Sequence, residues 1–124
     1  MFRPEEFKGK RALVIGAGKS GAACARLLAA RGFDVLLSDE KKASELKCRL
    51  KVLPRRVKLE AGGHSRAALS CGFAVKSPGL SRAHPLIKAL GKKGVPVFSE
   101  VETALAYSRA GKFLAVTGTN GKTT

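Results

Sequence analysis

The sequence predicts an α/β protein: a single domain in which helices flank a mainly parallel sheet. Three observations predict it. Short β-rich apolar runs alternate with stretches of helical periodicity along the chain, the pattern that parallel strands and their crossover helices require. The first of these runs ends in a glycine-rich turn that opens a helix, the junction on which Rossmann-like domains are built. At 124 residues, the chain is long enough for one hydrophobic core and short for two.

The elements follow in order. "RALVIG" reads as a buried strand over Arg11 to Ile15, because it is short, branched and closed by glycine. "SGAACARLLAARG" has helical spacing, with Ala23, Leu27 and Ala30 aligned, and stops at Gly32, a natural residue just past a helix end. "DVLLSD" is a second strand ending on Asp39. "KKASELKCRLKVL" reads as an amphipathic helix closed off by Pro54. "VKLEAGG" and "GFAVKSPG" give the third and fourth strands, the latter broken by Ser77-Pro78-Gly79. "HPLIKALGKKG" is a helix with proline in its first turn and Gly94 beyond its end. "VPVF" is a fifth strand. In "SEVETALAYSRAG", Ser99 followed by Glu102 three residues on fits a capping box. "KFLAV" is a sixth strand running into the last loop. A composition break near Ala110-Gly111 places the α/β domain at 1–111, with a further region beginning at 112–124.

Composition excludes several classes. The chain is 44% hydrophobic and 27% charged with 14 glycines, which suits a globular domain rather than a disordered or fibrous one. No apolar run approaches the ~20 residues of a membrane helix, and "MFRPEEFKGKR" lacks the apolar core of a secretory signal. The chain is therefore expected to be soluble and cytoplasmic, with no membrane partner. Cys24, Cys48 and Cys71 form no metal or disulfide spacing and read as buried or idle thiols. His64 and His84 lie in loop-like contexts, and no nearby carboxylate or cysteine completes a catalytic set. The net charge is +15, and between Lys41 and Lys58 eight Lys or Arg face a single acid, Glu45. Such a surface attracts anions, but without interleaved aromatic residues it offers little base stacking, so a nucleic-acid-binding module is the weakest reading.

Two glycine loops carry the chemistry. In "GAGKSG", Gly16 permits a tight turn, Gly18 lets an anion approach the backbone, and Gly21 lets the helix pack closely on the strand. Free N–H groups at the helix start, helped by its dipole, then face a phosphate. Asp39 follows Gly21 by 18 residues, near the offset of a ribose-binding acid. Alone, this loop suits NAD(P) and an oxidoreductase. The second loop, Thr117-Gly118-Thr119-Asn120-Gly121-Lys122-Thr123-Thr124, follows an apolar strand and ends like a Walker A loop, with Val116 where that pattern has its first glycine.

Here the sequence resembles the Mur ligases, which join amino acids to a UDP-linked muramic acid precursor of peptidoglycan. "TGTNGKTT" resembles their ATP-binding signature, and "GAGKSG", "SDEK", "KSPGLSRAHPLIKAL" and "GVPVFSEVE" occur in the family's order over nearly the whole chain. Asn120 favours the D-glutamate step over the L-alanine step. The resemblance implies an amino-terminal domain that binds the UDP part of UDP-N-acetylmuramoyl-L-alanine rather than NAD. In the full-length enzyme it implies ATP, Mg²⁺ and D-glutamate as further ligands, with the carboxylate activated as an acyl phosphate. Carried over by residue, the Gly16, Gly18, Lys19, Ser20 and Gly21 loop would meet the diphosphate. Asp39 and Glu40 would sit by the uracil or ribose, and Lys41, where the family often has arginine, would neutralise phosphate. Ser77, Pro78 and Gly79 would close the uridine pocket, and His84 would help shape it. In the ATP loop, Gly118, Thr119, Asn120, Gly121 and Thr124 would surround the nucleotide, Lys122 would contact its phosphates and Thr123 would ligate Mg²⁺. The helix completing that loop would begin at Lys122, so these 124 residues are expected to be a fragment that neither holds ATP nor ligates.

Overall fold

Five of the apolar runs form five parallel strands in one sheet: β1 (Ala12–Ile15), β2 (Val35–Asp39), β3 (Val57–Ala61), β4 (Phe73–Lys76) and β5 (Val97–Ser99), in the order β3-β2-β1-β4-β5. The computed structural model describes residues 1–46 and 53–108. The predicted sixth strand, the 111/112 boundary, Cys48 and the whole 117–124 loop, with Thr123 as the Mg²⁺ ligand, lie outside the described residues.

β1 is central because all four of its residues are apolar and fully covered, as a strand flanked on both sides and both faces must be. Val14 sits in register with Leu37 of β2 on one side and Val75 of β4 on the other. The chain leaves β1 towards β2 and β3, then crosses back to place β4 on the opposite side of β1. That reversal opens a crevice at the carboxyl ends of β1 and β4, where open α/β sheets bind their ligands.

Alternation along each strand divides the core into two layers. On the first face, Val14, Leu37, Val57, Phe73 and Val75 pack beneath α1 (Lys19–Ala30) through Cys24, Ala25 and Leu28. Phe2 and Phe7, in and before a short 3₁₀ turn at Pro4–Phe7, extend this layer: their rings lie 5.1 Å and 4.8 Å from that of Phe73, and Phe33 stands edge-on to it at 5.2 Å. On the second face, Leu13, Ile15, Leu36 and Ala74 meet Ala68, Cys71, Leu86 and Leu90. Those cover residues lie on or beside α2 (Arg66–Leu69) and α3 (Pro85–Lys92). A fourth helix, α4 (Glu100–Ala106), follows β5 and packs alongside α1.

Local signals are met where they were strong. Ser99 and Glu102 exchange both hydrogen bonds of a capping box, at 3.1 Å and 3.2 Å, and Gly32 and Gly94 adopt positive φ of 96° and 73° after their helices. Two readings are corrected, and a third falls partly outside the described residues. The buried stripe of α1 is Gly21, Ala22, Cys24, Ala25, Leu28 and Ala29, while Ala23 and Ala30 are exposed. The sheet takes the stripe that holds Gly21, the only one able to approach β1. Of the helix expected from Lys41, the described part holds a 3₁₀ turn at Ala43–Leu46, and its continuation over 47–52 lies outside the described residues. The one-turn helix α2, capped by Ser65, was missed because four residues carry no period.

Cys24 and Cys71 are buried free thiols. Burial, then the charge of Glu100, pushes the Cys24 thiol up to about 12, so it stays protonated and unreactive at neutral pH.

Candidate functional site

The glycine loop gives each glycine a different reason. Gly16 has φ 101°, a left-handed conformation that favours glycine at the turn out of β1. A Cβ on Gly21 would stand 1.8 Å from the Gly16 carbonyl oxygen, so the helix closes on the loop only without a side chain. Gly18 is unlike both. It is the N-cap of α1 with φ −73° and ψ −174°, a conformation open to any residue, and a Cβ there meets nothing within 4 Å. Neither the backbone nor the packing of the described residues demands glycine at position 18.

The loop is braced from β2. Asp39 Oδ2 accepts the Ala17 N–H at 2.7 Å, and Asp39 Oδ1 accepts the Lys41 N–H at 2.8 Å. The carboxylate thus ties the end of β2 to the turn after β1, in addition to whatever it offers a ligand. The crevice between these turns, about 110 Å³, is lined by Gly16, Asp39, Glu40, His64, Ser77 and His84, among others. The structure therefore brings Gly16, Asp39, Glu40, Ser77 and His84 of the expected set to one place. Lys19 and Lys41 are exposed, as are Pro78 and Gly79 in the turn after β4. Ser20 lies apart, lining a groove between α1 and α4 with Cys24, Leu27 and Val101.

One side of the crevice is a polar cluster that the sequence did not announce. Ser38 of β2 is fully buried. Its hydroxyl donates to Glu60 Oε1 at 2.7 Å. With its only proton so used, it must accept from His64 Nδ1–H at 2.6 Å. Ser65 donates to Glu60 through its N–H, at 2.9 Å, and through its hydroxyl. Burial acts to raise the Glu60 pKa, but the hydrogen bonds from Ser65 and Ser38, with the nearby His64, outweigh it and hold the carboxyl below its ordinary value. His84 caps α3: its Nδ1 accepts the Leu86 N–H at 3.1 Å. The proton of its neutral ring therefore sits on Nε2, which donates to Glu40 Oε1 at 2.7 Å. The absence of a carboxylate beside either histidine holds only along the chain; the fold supplies Glu40 and Glu60. The available signal was Ser38 itself, a polar residue in a strand otherwise read as buried, which needs a partner.

Glu40, His64 and His84 offer ligand atoms within 4.8 Å of one another, a donor set that transition metals use. The hydrogen bonds argue against one. A metal-bound imidazole donates its other N–H outward, whereas Nδ1 of His84 receives an N–H. Within the trio His84 is hydrogen-bonded to Glu40, and His64 Nε2 stands 3.8 Å from the same oxygen.

A doubly wound sheet, a glycine loop at the start of its first helix and a crevice at the strand reversal define a Rossmann-like domain. Residues 10–99 match the family described as Mur ligase MurD-like, N-terminal domain, and the chain belongs to that family. It is 49% identical over 125 residues to a UDP-N-acetylmuramoylalanine–D-glutamate ligase of Elusimicrobium minutum, covering 100% of this chain and 27% of the relative. It is 42% identical to the ligase of that name from Geobacillus kaustophilus, covering 99% of this chain and 28% of that one. The chain thus spans about a quarter of the length of these relatives. Among solved structures it resembles a pseudomurein peptide ligase type C from Methanothermus fervidus, with TM-score 0.66 and 28% identity over 81% of this chain and 21% of that one. A likeness to shikimate dehydrogenase from Aquifex aeolicus, with TM-score 0.52 and 18% identity over 80% of this chain and 45% of that one, is of fold alone. No helix among the described residues is long and apolar enough to cross a membrane.

Proposed function

We propose that residues 1–111 bind the UDP portion of UDP-N-acetylmuramoyl-L-alanine for an ATP-dependent ligase that adds D-glutamate to it in peptidoglycan synthesis, in the cytoplasm. Residues 112–124 begin the ATP-binding region. The observation that carries the reading is Gly18: with no structural demand for glycine at the mouth of the loop, a ligand pressed against the backbone accounts for it. Family membership and the names of the relatives support a UDP sugar as that ligand rather than a nicotinamide dinucleotide.

In this reading the diphosphate lies over the amino end of α1. There the first-turn N–H groups and the helix dipole favour an anion, and exposed Lys19 adds a charge. Lys41 supplies a point charge at the same rim, without the bidentate geometry of arginine. Asp39 keeps the loop in shape through Ala17 and Lys41. Glu40, fixed by His84, and Ser77, with Pro78 and Gly79, flank the uridine. In the whole enzyme ATP with Mg²⁺ would supply the activation of the muramoyl-peptide carboxylate, held by Gly118, Thr119, Asn120, Gly121, Lys122, Thr123 and Thr124. The task of the α/β domain is to hold the nucleotide end of the substrate so that its other end reaches that chemistry.

Calorimetric titration with UDP-N-acetylmuramoyl-L-alanine and, separately, NAD⁺ tests this. We expect one-to-one binding of the UDP compound alone, weakened at least tenfold by Gly18→Val, at a position where an added Cβ meets nothing within 4 Å. Binding of NAD⁺ without the UDP compound, or no change in Gly18→Val, would overturn the reading.

A further inference from the structure

The basic excess of the chain is not absorbed by the crevice, whose neighbouring acids are Asp39, Glu40 and Glu60. Part of it gathers at the opposite end of the sheet. There Arg11, Asp34, Arg55, Arg56 and Lys58 line a pocket of about 350 Å³, a volume at the lower end of small-molecule sites.

The fold explains why the pocket is open. The connection from β3 to β4 carries only the one-turn helix α2, which helps cover Leu13, Ile15 and Ala74. β3 is an edge strand, and its alternation is half polar: Val57, Leu59 and Ala61 pack into the first core layer, leaving Lys58 and Glu60 on the second face. Lys58 is exposed there, in register with buried Leu36. A lysine on that face also discourages further strand pairing at the edge, but it does not account for three arginines around the same hollow. Only Arg56 is engaged by a carboxylate, at 3.5 Å from Asp34, and it also donates to the Gly32 carbonyl at 3.0 Å. Among the described residues, no carboxylate lies within ion-pair distance of Arg11, Arg55 or Lys58. Four cations against one carboxylate leave three positive charges around one concave surface.

We propose that this pocket is a second anion site that takes a small oligophosphate, two or more phosphates in series. Guanidinium groups match phosphate oxygens bidentately, and the concave shape brings them to bear on one compact ligand rather than along an extended groove. Among the described residues no aromatic side chain lines the pocket, so a stacked base or a single strand gains little there. The site lies across the sheet from the glycine loop, separated by the length of β3, roughly 15 Å for a five-residue strand. It can therefore be filled while the crevice is occupied.

The test is titration of the 124-residue chain with inorganic tripolyphosphate at low and moderate salt, with a mixed-sequence DNA duplex as a parallel titrant. Saturable binding of tripolyphosphate is expected to persist in Gly18→Val, where the crevice is impaired, and to be at least tenfold weaker when Arg55→Glu/Lys58→Glu is added to that variant. Far-UV circular dichroism checks the fold of the charge-reversed variant. Arg55→Ala/Lys58→Ala, truncating two exposed side chains, should weaken binding severalfold and serves if the reversal unfolds. Loss of binding in Gly18→Val alone would assign the anion to the crevice and overturn the proposal. So would undiminished binding in both basic-pocket variants, absence of tripolyphosphate binding, or binding of the duplex alone.

Discussion

The two faces of the sheet are built from the same strands and do different work. On the first, α1, the amino-terminal turn and four phenylalanine rings around Phe73 close an apolar layer. On the second, apolar packing centres on β1 and β4 under α2 and α3 and reaches Leu36 of β2, while Ser38, Lys58 and Glu60 make the rest of the β2–β3 side polar. A long helix covers many residues and leaves no room for water; a one-turn helix cannot. The half-covered face is where the fold holds buried hydrogen bonds beside the crevice, and where charge can stand in the open. Aromatic packing is densest on one side, and the buried polar contacts are gathered on the other.

The largest effect that tests this contrast is Phe73→Ala. Phe73 is fully buried among aromatic rings, and its removal should cost about 3–5 kcal/mol in urea unfolding. A loss below ~1 kcal/mol would mean that the aromatic face is not the centre of stability. A smaller loss is expected on the polar side. Ser38→Ala leaves the His64 Nδ1–H and one Glu60 oxygen without their shared partner, at a cost of about 1–3 kcal/mol. The His64 ring resonances should shift with it; stability and ring resonances that stay put would show that the cluster is ornamental. The smallest effect is in pH dependence. The Glu60 carboxyl is held below its ordinary value, so its contribution is present above the unfolded value of 4.5 and is lost as pH falls through the folded one. Glu60→Gln should flatten this acid limb in thermal melts and leave the neutral range with little pH dependence. An unaltered limb would assign acid sensitivity to other carboxylates.

Much of the first face could be read from the chain. β1 and β2 were visible as apolar runs, and the ends of the helices as Gly32, Gly94 and the Ser99–Glu102 pair, because each is decided within a few residues. The glycine loop was legible for the same reason: a turn, a cap and a close approach within six positions. The amino-terminal phenylalanines were not, since nothing in "MFRPEEF" tells that Phe2 and Phe7 reach Phe73. Nor was the buried side of α1, where Ala23 and Ala25 are equal by hydrophobicity, and only the approach of Gly21 to the Gly16 carbonyl chooses between them. The polar cluster was hardest, because it joins Ser38 to His64 and Glu40 to His84, partners 26 and 44 residues apart.

The sequence by itself determined the α/β class, the strand starts and stops, and the glycine loop at the head of α1. These depend on backbone geometry and local hydrogen bonds, which neighbouring residues fix. Tertiary structure alone decided the strand order, and with it the crevice between β1 and β4. It alone decided the pairing of His84 with Glu40 and the gathering of Arg11, Arg55, Arg56 and Lys58 around one hollow. Each of these depends on which elements end up side by side, a choice made by the burial of whole faces rather than by any short stretch of chain.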